Sequence, residues 1–106
     1  MTAWIITDSA LWKAAPEVRQ REIRSWLRMN GIAPRDVPAD STVLITDDTA
    51  GSVWEIWFEA YRRSEDGRIL VDPDDRASAF VEERRVALAV DPPMHWLVPV
   101  EEPVPV

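Results

Sequence analysis

Cysteine is absent from the 106 residues, which removes disulfides, thiolate zinc sites and cysteine nucleophiles together. Histidine occurs once, as His95, in a proline-rich stretch that is a poor place to hold catalytic geometry. Lysine also occurs once, as Lys13, against eleven arginines. Glycine occurs three times, at Gly31, Gly51 and Gly67, each beside turn-forming residues, so no glycine pattern cradles a phosphate. No apolar run approaches the roughly 20 residues of a membrane helix. The opening MTAWIITDSA lacks the basic start and apolar stretch of a signal peptide. These shortages argue against an enzyme, a bound cofactor, a metal site and a membrane partner. A soluble, cytoplasmic domain is expected.

Charge bounds the partners further. The net charge of −7 disfavours phosphate backbones, so no direct nucleic-acid binding is expected. Residues 16–30 run against this trend, with four arginines and two glutamates. Arg21, Arg24 and Arg28 share one helical face there, a secondary basic surface suited to an acidic protein partner. The aspartates at Asp47–Asp48 and at Asp72, Asp74 and Asp75 do not fit a calcium-loop spacing.

Local signals order the elements. Residues 3–7 suit a short strand or an apolar anchor, and Asp8 or Ser9 caps a brief helix over Ala10–Ala14. A longer helix starts at Pro16, runs to about Asn30 and stops at Gly31. Its apolar half collects Ala15, Val18, Ile23, Trp26, Leu27 and Met29, with Arg19 and Glu22 as intruders that pair at i,i+3 or contact a partner. Strands follow over 42–46, 53–62, 68–71 and 80–90, with a Gly67 turn between the second and third. The fold class is α+β: an N-terminal helix on an antiparallel three- to four-stranded meander. Residues 1–90 form the single domain. Five of nine prolines fall in 91–106, an extended arm laid over its own domain or over a second copy.

Residues 53–62, VWEIWFEAYR, carry the most unusual signal. Alternation puts Trp54, Ile56, Phe58 and Ala60 on a core face. It puts Glu55, Trp57, Glu59 and Tyr61 on the other, where two carboxylates interleave with two aromatics. A solvated face has no use for the aromatics, and a buried face would not leave the carboxylates unpaired. Either the arm or the N-terminal segment covers this face, with Arg68, Arg84 or Arg85 pairing the glutamates, or it binds a partner. A stacked small ligand or sugar is a further use. Six tryptophans in so short a chain favour the partner, since tryptophan, tyrosine and arginine concentrate interface energy. The expected contact set is Glu55, Trp57, Glu59 and Tyr61, with Trp96 from the arm.

The stretch WLRMNGIAPRDVPADS, Trp26 to Ser41, leads into a short strand and then an aromatic one. In this it resembles small uncharacterised proteins of actinobacteria and their phages, over about Ile23 to Pro93. The resemblance implies a phage or prophage accessory protein acting in a host cytoplasm, and it carries no site residue. Together these readings predict a non-enzymatic module that binds a host protein or its own copies. The alternatives are a minor virion or assembly component that exchanges its arm, and an acidic mimic of nucleic acid that inhibits a host enzyme.

Overall fold

Every strand among the described residues pairs antiparallel, and the strands at the two edges of the sheet come from the last part of the sequence. The structure, a computed structural model, describes residues 3–39, 41–47 and 54–100. In chain order it holds β1 (Ala3–Thr7), α1 (Ser9–Ala14), α2 (Glu17–Met29), β2 (Val43–Asp47), β3 (Trp54–Tyr61), β4 (Val81–Ala87) and β5 (Val98–Pro99). Single turns of 3-10 helix cover Pro34–Asp36 and Met94–Trp96. The sheet order is β4-β3-β2-β1-β5. The α+β architecture is as expected, with β1 and β5 bringing the sheet to five strands. The predicted strand over 68–71 does not form. That segment makes only isolated bridges, Arg63 to Ile69 and Val71 to Ala79, and the partner of β3 is β4 instead.

The helix ends follow local chemistry. The Asp8 carboxylate accepts from the Leu11 amide at 2.8 Å and so caps α1. Ala15, held extended before Pro16, separates the two helices. At the far end of α2, the Gly31 amide donates to the Arg28 carbonyl and the Ile32 amide to the Leu27 carbonyl. This is a Schellman cap, and it requires the left-handed φ of 78° that Gly31 adopts. Ile32 then turns back into the core beside Leu27.

One face of the sheet is closed. Ile6, Val43, Ile45, Ile56, Phe58 and Ala60 pack with Ile23, Trp26 and Leu27 of α2. A register irregularity between Ile5 and Thr7 turns Thr7 to the same side as Ile6, so that both are buried. The buried stripe of α2 is narrower than its periodicity suggests: Val18 and Met29 are 55% and 58% exposed. After β4 the chain crosses this helix side to reach the opposite edge, and Leu88, Val90, Trp96 and Leu97 pack against the core on the way. The described part of the arm therefore belongs to the domain. Trp96, expected among the partner-binding residues, is a core residue, edge-on to Trp26 with ring centroids 6.3 Å apart.

Asn30 locks this crossing segment. Its side-chain oxygen accepts from the Ala89 and Val90 amides at 2.9 and 2.8 Å. Its amide nitrogen donates to the Trp26 and Val90 carbonyls at 3.0 and 3.3 Å. The Trp26 indole adds a bond of 2.8 Å to the Val90 carbonyl. A buried amide with all its groups engaged fixes one arrangement, because any other leaves polar groups unpaired.

Candidate functional site

Among the described residues, the opposite face of the sheet has no helix on it. Strand register aligns Val98, Ile5, Leu44, Trp57 and Arg85 in one row across five strands. The adjacent row runs Ala3, Thr46, Glu55 and Ala87. On the other side of the central row, Glu59 stands directly opposite Glu83. Ile5, Leu44 and Trp57 are half-buried by their neighbours in the sheet, and Val98 is exposed. None of the four joins the core cluster or packs against it. α1, α2 and the 88–97 segment all lie on the other side. The expected contact set is thus divided: Glu55, Trp57 and Glu59 share this face, Trp96 does not, and Tyr61 follows the same alternation but borders a separate cleft at the end of β3.

Cross-strand pairing of the glutamates with arginine does not occur. Glu55 faces Ala87, and Glu59 faces a second carboxylate. Arg84 binds Glu82 at 2.7 Å and Arg68 lies 3.4 Å from Asp66, both outside this face. Arg85, opposite Trp57, supplies the one basic group of the central row. The face combines an apolar centre with a carboxylate border, and the Glu59–Glu83 opposition is destabilising in the free protein.

Tyr61 is turned to a different use by a difference in strand length. β2 pairs only as far as Val43 opposite Phe58, so the last residues of β3 run past it. Tyr61 there lines a cleft of about 440 Å³ together with Trp12, Ile23, Leu27, Pro34, Val37, Pro38 and three arginines, Arg24, Arg28 and Arg35. The basic helix face is accordingly split. Arg24, stacked over Trp12 at 5.1 Å, and Arg28 border this cleft, whereas Arg21 borders a shallow groove on the other flank of α2. Arg19 and Glu22 do not pair; the Arg19 guanidinium lies 5.5 Å over the Trp96 ring.

Trp54, expected in the core, is 42% exposed at the end of β3. With Trp4, Leu88, Met94 and Leu97 it lines an apolar groove of about 390 Å³ where the helices no longer cover the sheet. This explains the tryptophan surplus in part. Two of the six are core, and Trp54 and Trp57 are only partly covered, on opposite faces.

Reaction chemistry finds few groups. His95 is exposed and meets only the edge of Trp96, with centroids 6.4 Å apart. Among the described residues no three histidine, aspartate or glutamate side chains come together to hold a metal ion. Asp48 lies outside the described residues. Two exposed carboxylates are held below the usual aspartate range, Asp66 by the Ser64 hydroxyl and Asp75 by the Ser78 hydroxyl. The shifts keep both ionised, the opposite of what a general acid needs, and both bonds close turns of the 62–80 excursion. No helix among the described residues is long and apolar enough to cross a membrane. The chain matches no known protein family, no curated protein and no solved structure.

Proposed function

We propose that this protein is a non-enzymatic interaction module whose open sheet face docks a protein with an apolar centre and a basic rim. The observation that carries this reading is the row Val98–Ile5–Leu44–Trp57, over which no described helix lies, bordered by Glu55, Glu59 and Glu83. Apolar contact supplies the favourable term, and an aromatic anchor at the middle of a flat face is where interface energy concentrates. The border selects the sign. Three carboxylates against Arg85 make a face that repels its own copy and attracts arginine or lysine. A basic partner would also relieve the opposition between Glu59 and Glu83. The same apolar centre favours a protein over a cleft evolved for nucleic acid. The setting implied by the sequence resemblance is a phage or prophage accessory protein with a host partner in the cytoplasm. Arm exchange has less support, since β5 pairs with β1 of its own chain and Trp96 fills its own core.

Selection of displayed peptides against the immobilised protein tests the reading, together with the mass in solution. The expected result is a monomer and a selected consensus of apolar residues flanked by arginine or lysine. Binding should be lost with Trp57→Ala or with Glu55→Lys combined with Glu59→Lys, and kept with Arg84→Ala on the other face. Binding that survives the open-face changes would overturn the proposal. A dimer that Trp57→Glu dissociates would replace it with self-association.

A further inference from the structure

The cleft beside Tyr61 is a different feature from the open face, and it carries the opposite charge. Arg24 and Arg28 reach it from successive turns of α2, and Arg35 reaches it from the 3-10 turn that follows. No carboxylate lines it among the described residues. Asp36, the neighbour of Arg35, is engaged instead by Arg63 at 2.8 Å and is turned out of the lining. None of the three arginines has an ion pair among the described residues. In a chain of net charge −7, three guanidinium groups around one concavity, none ion-paired among the described residues, bring positive charge to it.

The rest of the lining defines what such an anion must look like. Ile23, Leu27 and Val43 form a buried apolar floor, and Trp12 and Val37 stand at the sides. The stacking of Arg24 on Trp12 holds one guanidinium in place. Tyr61, at the end of β3, completes the lining. The volume of about 440 Å³ falls within the roughly 300–1,000 Å³ of small-molecule sites. We infer that this cleft binds a small organic anion, an aromatic or branched apolar body with a carboxylate or phosphate head held by Arg24, Arg28 and Arg35. Guanidinium groups suit both heads, because each offers paired oxygens to a planar fork.

Titration with phenyl phosphate, benzoate and inorganic phosphate, followed by amide and indole NMR shifts, tests the assignment independently of any protein partner. The expected result is saturable binding of at least one aromatic anion, with shifts concentrated at Trp12, Arg24, Arg28, Arg35 and Tyr61. The tighter of the two aromatic anions identifies the head group. Arg28→Gln combined with Arg35→Gln should weaken binding about tenfold or more, the loss of charge-assisted bonds. Arg21→Gln, on the other flank of α2, should leave it unchanged. Thermal unfolding of each variant separates lost binding from lost structure. Dissociation constants weaker than about 1 mM for both aromatic anions would overturn the inference. So would shifts spread over the other arginines, or inorganic phosphate binding as tightly as phenyl phosphate.

Discussion

The two faces of one sheet use the same residue types to opposite ends. On the helix side Trp26 and Trp96 meet edge to face, and the Trp26 indole hydrogen is bonded. Asn30 bonds the Ala89 and Val90 amides and the Trp26 and Val90 carbonyls. On the other side Trp57 has a leucine beside it in β2 and an arginine beside it in β4, and no described helix above it. The difference does not arise in β3, whose alternation is equally regular on both faces. It arises from the connections. The β1-to-β2 connection carries both helices and the β4-to-β5 connection carries the crossing segment, and both pass on the same side. A five-stranded sheet covered once is a two-layer domain with one face left for water or for another molecule.

The sharpest way to break this comparison is to remove one tryptophan from each face. Trp26→Ala deletes a fully buried ring and its bond to Val90, and should destabilise by about 3–5 kcal/mol in a urea or thermal unfolding series. Trp57→Ala should cost less, because its ring is only partly buried and lies outside the core cluster. Equal losses would mean that the open face is closed. Next in size comes Asn30→Ala, which strands the Ala89 and Val90 amides and frees the crossing segment from α2. A loss of about 2–3 kcal/mol is expected, with amide exchange quickened over 88–90 before the strands. Uniform loss of protection would show that the crossing segment is no separate unit.

Local features were legible in the sequence and long-range ones were not. Asp8 as a cap, Pro16 as a helix start and Gly31 as a left-handed stop each depend on neighbours within four residues. The alternation of β3 likewise marked Glu55, Trp57 and Glu59 as a doubtful face before any register was known. Asn30 read only as part of a helix stop, since its partners lie 59 and 60 residues away. Trp96 was drawn into the partner set because the prolines around it suggest an arm, yet proline does not prevent a 3-10 turn from delivering one ring to a core. Tyr61 follows the alternation and still ends in the cleft, because β2 stops short of it. Arg35 sits in a proline-rich loop, and only tertiary structure sets it beside Arg24 and Arg28.

The smallest expected effect is the most discriminating. Glu59 and Glu83 are directly opposed on the open face, and like charges in that position cost stability. Glu83→Lys replaces repulsion with attraction across the same pair. The free protein should gain about 0.2–1 kcal/mol, an increase that fades as salt is raised. Nothing in the core is touched, since Glu83 is exposed at the sheet edge. A stabilising change on a surface ordinarily leaves function alone. Here it should weaken capture of basic peptides by the same face, because it removes one carboxylate of the border and adds a competing cation. Stability up and binding down, measured on one variant, is the pattern expected of a repulsive pair kept for a partner. A gain in stability with unchanged binding would reduce the pair to an incidental strain at the edge of β4, and would leave the apolar row alone to account for docking.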